Sequence, residues 1–331
     1  MKIKEAVGID VSKKTLDCRL YQQEMSEVFS NNLKGFKSLI QWTLKHSELD
    51  INQIIICFEH TGIYSMPLAT YLSENDISFA LVPAIEIKRS MGLVRGKNDK
   101  VDAQRIAEYA YLRKEKLKSF EMPKDAVLKL KKLLSLRDKM VRQRGTYKAE
   151  IKELKEVFQS QNHQSVIKTQ KKMIDYMSKQ ISTIEQEIKA LIRQDENISK
   201  TYDLITSVKG IGFVLAVNLI VATNCFTCFT NSRKFACYAG IAPFEKQSGT
   251  SLKSKSRVSQ LANKKLKSLL NMAAFTAVQS DPELKLYYLE RVLSGKSKMS
   301  TMNIIRNKIV HRVFAVVKRG TPYVVLNKHE N

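Results

Sequence analysis

The chain has 331 residues, enough for two or three domains that each bury a core. It carries 56 Lys and Arg against 32 Asp and Glu, a formal net charge of +24 at pH 7 that implies a polyanionic partner. No apolar run reaches the roughly 18 residues of a spanning helix, and the N-terminus passes from Met1 through Lys2 and Lys4 into a strand-like run without an apolar signal core. A membrane is thus the weaker choice of polyanion, nucleic acid the stronger, and a soluble intracellular protein is expected. Five cysteines in a chain this long form no even framework, which fits a reducing compartment. Cys225 and Cys228 make a C-x-x-C, but no second pair at zinc-finger spacing follows, so half-buried apolar cysteines beside Phe226 and Phe229 are expected rather than zinc.

The charge divides the chain. Lys and Arg stand against Asp and Glu as 18 to 15 over residues 1–119, 18 to 11 over 120–200, and 20 to 6 over 201–331. Polyanion binding is weighted toward the C-terminal half, while the first part keeps enough acid to hold cations.

Residues 1–119 read as an α/β layer. A strand over 6–11 has Asp10 inside it, and after the turn-like Ser12-Lys13-Lys14 the run 15–21 is its hairpin partner. Ile40 and Leu44 belong to a helix opened near Gly35. The continuous apolar run 54–58 predicts a strand buried on both faces, with Glu59 at its end. A helix over 66–73, a strand over 78–82 and a long helix over about 101–114 complete the layer. Where that helix begins, Asp99 and Asp102 stand three residues apart and project from one helical face. An acidic pair there also complements the helix dipole. An acid in or beside an apolar strand, however, carries a desolvation cost unless a cation pairs with it. Together, Asp10, Glu59, Asp99 and Asp102 make a set of oxygen ligands suited to Mg²⁺, with Mn²⁺ as a substitute, and thereby to attack on a phosphodiester.

The order strand-Asp, strand-end Glu and D-x-x-D-A, present as Gly8-Ile9-Asp10-Val11-Ser12, Phe58-Glu59-His60-Thr61-Gly62 and Lys97-Asn98-Asp99-Lys100-Val101-Asp102-Ala103, resembles the RuvC-like DEDD domain of the insertion-sequence family one-ten transposases, the group related to the Piv invertases. The resemblance implies an RNase H-like fold, a catalytic tetrad on those four acids, and a place in the bacterial or archaeal nucleoid.

Residues 120–200 are helical. Ile174, Met177, Ile181, Ile184, Ile188 and Leu191 recur at intervals of three and four, a heptad seam. An earlier helix carries Leu130, Leu133, Val141, Tyr147, Ile151, Leu154 and Phe158, with Gly145 as a weak point, and the polar stretch 159–164 turns one helix back on the other. Periodicity leaves an intramolecular hairpin and a dimerising coiled coil both open. The resemblance implies a coiled coil that joins subunits, and so a homo-oligomer, dimer or tetramer.

The third part, 201–331, is mainly helical. Lys209, Gly210 and Gly212 precede an apolar helix over 213–221, where bare backbone N–H groups suit either a phosphate or a tight turn. Tyr238-Ala239-Gly240, Pro243 and Ser248-Gly249 follow, then a basic track with Lys253, Lys255, Arg257, Lys264, Lys265 and Lys267 that reads as backbone-phosphate contact. The same family has Y-A-G-x-x-P, then S-G, then a basic helix ending in A-A, here Met272-Ala273-Ala274. That pattern carries the family's nucleophilic serine onto Ser248. Ser254-Lys255-Ser256 and Asn263 depart from the usual glycine-rich link, which leaves Ser251 as an alternative. Beyond 281, Tyr287, Tyr288 and the basic run 306–319 have helical spacing and suit further nucleic-acid or subunit contact.

A serine hydroxyl needs a base or a metal to react with phosphate, and a covalent phosphoserine link would conserve bond energy for rejoining. No P-loop is present. The resemblance further implies that the acids and the serine come from different subunits, and that donor and target double-stranded DNA are chosen by pairing with a structured guide RNA. The rivals are a RuvC-like metal nuclease acting by water attack, with Ser248 structural, and a nucleic-acid-binding protein without catalysis.

Overall fold

In chain order the first unit comprises β1 (Glu5–Val11), β2 (Thr15–Leu20), β3 (Ser26–Ser30), α1 (Leu33–Ser47), β4 (Ile54–Glu59), α2 (Met66–Glu74), β5 (Phe79–Val82), α3 (Ala84–Ser90) and α4 (Asp99–Leu112). The computed structural model describes residues 3–60, 62–90, 98–157, 163–229, 231–248, 252–259 and 261–324, with backbone alone for 245–248 and 252–257. Chain contacts separate two compact units, Met1–Met122 and Pro123–Asn331.

The sheet of the first unit has the order β3-β2-β1-β4-β5. Its first three strands form an antiparallel meander, and β4 and β5 add in parallel beside β1. β1 and β4 are buried on both faces, as their unbroken apolar runs require. One face carries Val7, Ile9, Leu16, Ile56 and Phe58 into a core with Leu39, Leu68 and Leu72 of α1 and α2. The opposite face carries Ala6, Ile55, Cys57 and Ala80 against Ile106, Tyr109 and Ala110 of α4. The result is a mixed α/β layer with helices on both sides.

β3 and α3 were not legible in the sequence. β3 is a half-exposed edge strand with few apolar residues, and α3 is only two turns long. The helix expected from 101 begins two residues earlier, because the Asn98 side chain accepts the Lys100 amide at 3.1 Å and caps it.

The second unit opens with α5 (Asp125–Val157) and α6 (Gln164–Gln194), followed by α7 (Glu196–Thr206), α8 (Phe213–Thr223), α9 (Ser232–Tyr238), the strands β6 (Pro243–Ser248) and β7 (Leu252–Val258), then α10 (Lys264–Ser280), α11 (Pro282–Leu293) and α12 (Lys298–Arg319). α5 runs through Gly145, the expected weak point, without a break. The seam left open by periodicity is packed within the chain as an antiparallel hairpin. Arg137 donates to Glu185 at 2.6 Å, Arg144 to Ser178 at 3.1 Å and Gln170 to Glu150 at 2.8 Å. Leu130 and Leu134 bury against a core that includes Ile184, Ile188 and Ile192. The basic track after Ser248 departs from a simple loop and helix, since β6 and β7 form a two-stranded antiparallel hairpin. Cys225 packs on the same core, and burial pushes its thiol up to about 11. Cys228 is exposed. Among the described residues, no helix is long and apolar enough to cross a membrane.

Candidate active site

Strand register sets the first acids side by side. β1 and β4 run parallel with Ile9 beside Phe58, so the next residues, Asp10 and Glu59, are neighbours across a strand spacing of about 4.8 Å. On the other side, Asp10 pairs with Asp17 of β2. Side chains alternate along a strand, so Asp10 shares a face with Ala6 and Gly8, the face that α4 covers.

Gly8 explains how α4 reaches that face. A Cβ placed on Gly8 would stand 2.1 Å from the Ala107 amide nitrogen and 2.3 Å from the Ala103 carbonyl oxygen, so the backbones of strand and helix touch there. Two residues along β1 from Gly8 is Asp10, about 6.6 Å on. One turn back along α4 from Ala103 is Asp99, about 6 Å on. The contact at Gly8 thereby lays the first turn of α4, with Asp99 and Asp102, beside Asp10 and Glu59. Asp99, Asp102 and Glu59 all lie within electrostatic reach of Asp10.

Their charge is felt there. Burial, then Asp99, Asp102, Glu59 and Asp17, push the Asp10 carboxyl up to about 6. Burial and Asp99 also raise Asp17. Asp102 is held by the Arg105 guanidinium at 2.8 Å, one turn further along α4. As the side chains stand, no group of three His, Cys, Asp or Glu among the described residues is close enough to hold a metal ion. The donor chemistry nevertheless suits a hard divalent cation, because the cluster offers only carboxylate oxygens and its excess negative charge already disfavours ionisation of Asp10.

Asp17 is the acid that sequence reasoning passed over. Its signal was the alternation Leu16-Asp17-Cys18-Arg19-Leu20, which puts Asp17 on the face away from Leu16 and Cys18 once the turn at 12–14 fixes the register.

Ser248 lies in the other unit, as the last residue of β6, paired with Leu252. Its hydroxyl, Gly249 and the alternative Ser251 lie outside the described residues. The root of this hairpin is held from both ends. The Ile241 carbonyl accepts from Asn303 at 2.7 Å and from Asn307 at 3.0 Å. Arg306, 5% exposed, donates to the Asn303 side-chain oxygen Oδ1 at 3.3 Å and to Oδ1 of Asn271, which fixes the Asn303 side-chain amide. Burial lowers the Arg306 pKa. At the far end, the Asn263 amide donates to the Tyr238 carbonyl at 2.9 Å and the Asn263 side chain to the Tyr238 hydroxyl at 3.1 Å. The Tyr238-Ala239-Gly240 motif therefore anchors the hairpin. Arg306 was read only as part of a basic run, because a buried arginine has the same sequence signature as a solvated one.

The expected phosphate contacts separate into different places. Lys253, Lys255 and Arg257 occupy alternate positions of β7. Lys264 and Lys265 open α10, and Lys265 is ion-paired with Asp138 of α5. Lys209 is exposed. Gly210, at φ 90°, packs where a Cβ would lie 2.4 Å from the Ala273 carbonyl oxygen, so a tight turn against α10 accounts for it. Ala273 is nine residues beyond Lys264, about 13 Å along the helix. Gly212 caps α8 with open space around it.

Comparison with known proteins gives two matching family models. A family model of the DEDD IS110 type, described as Transposase, matches residues 7–159. A second, described as Transposase IS116/IS110/IS902 family, matches 202–289. The pilin gene-inverting proteins of Moraxella bovis and Moraxella lacunata are each 26% identical over 326 residues, covering 97% of this chain and 98% of those proteins. The insertion element IS110 uncharacterized 43.6 kDa protein of Streptomyces coelicolor is 26% identical over 154 residues, 46% of this chain and 38% of that protein. The chain belongs to the IS110 family of transposases and is a DNA transposase or recombinase.

Proposed function

We propose that this transposase cuts and rejoins DNA through the hydroxyl of Ser248, assisted by Mg²⁺, or Mn²⁺ in its place, held by Asp10, Glu59, Asp99 and Asp102. The convergence of those four acids at the ends of β1 and β4 and the start of α4, with Asp10 pushed up to about 6, carries the reading. The strand order β3-β2-β1-β4-β5, with a three-strand meander and two parallel additions, supports an RNase H-like fold for the first unit. In the domain division that goes with it, residues 1–119 are the RuvC-like catalytic domain, 120–200 the coiled-coil segment and 201–331 the domain of the serine.

Bound among these carboxylates, the ion would neutralise charge on the scissile phosphate and lower the pKa of the attacking oxygen. The chain's own part is to supply the carboxylates that would hold the ion and the serine that attacks. The Ser248 oxygen bonds to phosphorus as a deoxyribose oxygen leaves, and the proton lost from Ser248 passes to a base. Reversal on a second DNA end rejoins the strand without ATP. Clamping of the hairpin root by Asn303, Asn307 and Tyr238 supports preorganisation of the serine. A net charge of +24 supports binding of donor and target duplexes and of a structured guide RNA. Beside the α6 seam, Met173 and Tyr176 are 46% and 59% exposed, which supports assembly into a dimer or tetramer. A cytoplasmic location at the nucleoid goes with that reading.

The test is a denaturing gel of the protein incubated with Mg²⁺, element-end DNA and RNA transcribed from the flanking region. A protein–DNA adduct that disappears with Ser248→Ala is the expected result. Cleaved DNA with no protein attached replaces this reading with a RuvC-like nuclease acting by water attack.

A further inference from the structure

We infer that the groove alongside α4 is the track for the phosphate backbone of one DNA strand leading away from the acid cluster. The groove has a volume of about 900 Å³ and is lined by Arg105, Arg113, Lys114 and Lys116. Its lining reaches the acid cluster through Arg105, which contacts Asp102 at 2.8 Å. This inference rests on the reading of the acid cluster as the cleavage centre.

Three observations converge on a polyanion. First, Arg113, Lys114 and Lys116 form no ion pair among the described residues. Glu108 and Glu115 also line the groove, so cations outnumber acids there by four to two. Residues 1–119 as a whole are nearly balanced, at 18 to 15, so this concentration is local. Like charges left unpaired and close together repel, and an arrangement that keeps them together is stabilised by an anion.

Second, the cations are held in place. The Arg113 guanidinium carbon stands 5.1 Å from the Tyr109 ring centre, and the Lys114 ammonium stands 3.6 Å from that of Tyr111. Tyr111 is itself stacked on Tyr21 at 4.7 Å. The chain turns tightly after α4, with the Lys116 and Leu117 amides both donating to the Arg113 carbonyl, at 2.8 and 3.0 Å. Aromatic faces and a tight turn fix these charges before any ligand arrives.

Third, the length fits. Arg105 lies on α4 and Arg113 caps its C-terminus eight residues later, about 12 Å along the helix axis. Successive phosphates of one DNA strand stand roughly 6–7 Å apart along the backbone, so the row spans two to three phosphates.

The experiment measures binding of fluorescent element-end DNA to the full chain across a range of salt concentrations, for the wild type, for the combined variant Arg113→Gln, Lys114→Gln, Lys116→Gln, and for Asp10→Asn. The combined variant is expected to bind roughly tenfold more weakly at 0.1 M salt, with the slope of log affinity against log salt reduced by about 2. Its cleavage rate at saturating DNA should stay within about twofold of wild type. An unchanged slope, or a loss confined to RNA binding, overturns the proposal. Asp10→Asn should keep the wild-type slope and lose cleavage. If it still cleaves, the acid-centre reading fails while the groove result stands on its own. Should the combined variant not fold, ethylation interference with the wild-type protein decides. Two or three consecutive sensitive phosphates on one strand, adjoining the cut, are expected, and their absence overturns the proposal.

Discussion

Gly8→Ala tests how the acid cluster is built. The added methyl group would stand 2.1 Å from the Ala107 nitrogen and 2.3 Å from the Ala103 oxygen, where ordinary contact starts at 3.4 Å. The deficit of about 1.3 Å falls on helix backbone, which cannot rotate away as a side chain would. α4 must lift from β1, and overpacking of this kind costs about 3 kcal/mol. For a unit of this size that lowers the melting temperature by roughly 10 °C. The lift also carries Asp99 and Asp102 about 1 Å away from Asp10 and Glu59, a displacement that costs about 100-fold in rate. Gly145→Ala is the matched control. Gly145 lies inside α5 with open space where the methyl would go, so the same chemical change should stabilise by about 0.5–1 kcal/mol there. Circular dichroism melts and DNA cleavage rates read both variants. A Gly8→Ala protein that melts and cleaves like wild type would refute the account of α4 packed backbone-to-backbone on β1.

Three further outcomes follow from the geometry. The Asp10 carboxyl sits at about 6, above its ordinary value of 3.8, so the fold disfavours its ionised form. The penalty is absent below about pH 4, grows as pH rises toward 6 and is complete above it. Asp10→Asn should therefore stabilise the protein at pH 8 without divalent ions, by roughly 1 kcal/mol once solvent screening is allowed for, and by nothing at pH 4. Melting at the two pH values measures this, and a loss of stability at pH 8 contradicts it. The pair Asn303→Ala and Asn307→Ala removes both hydrogen bonds to the Ile241 carbonyl, at about 1 kcal/mol each. Amide exchange in β6 should accelerate and adduct formation slow, with DNA affinity unchanged; unaltered β6 exchange shows that the hairpin is anchored elsewhere. Gly210→Ala, at φ 90° and against the Ala273 carbonyl, should destabilise by 2 kcal/mol or more on the order of known strain costs, while Gly212→Ala stays within about 0.5 kcal/mol. Gly210→Ala with wild-type stability and reduced DNA affinity would favour phosphate contact over packing.

The acids were legible because each interrupts an apolar pattern. Asp10 stands in a strand buried on both sides, and Glu59 ends one. Their meeting was legible only through order in the chain, because register and the contact at Gly8, which bring them together, are tertiary facts. Ser26–Ser30 shows what periodicity misses: an edge strand is held by ladder hydrogen bonds to β2 and needs no apolar face. In Lys253-Ser254-Lys255-Ser256-Arg257 the alternation is of charge with serine, so it read as a track rather than as a strand. The basic helix α12 hides the buried Arg306 among exposed cations, because burial is set by Asn271 of α10, 35 residues earlier. The heptad seam of α6 was read correctly as a seam, and its partner, α5 of the same chain, was open because a repeat specifies a face and not who covers it.

The most direct test of the central claim is a titration of Mn²⁺ into the nucleic-acid-free protein at pH 7.5, followed by electron paramagnetic resonance, for the wild type and for Asp10→Asn. The account predicts ion binding by the wild type that is lost in the variant, whose circular dichroism spectrum is unchanged. Equal binding by both proteins would show that the ion, wherever it sits, is not held by the carboxylates that β1, β4 and α4 bring together.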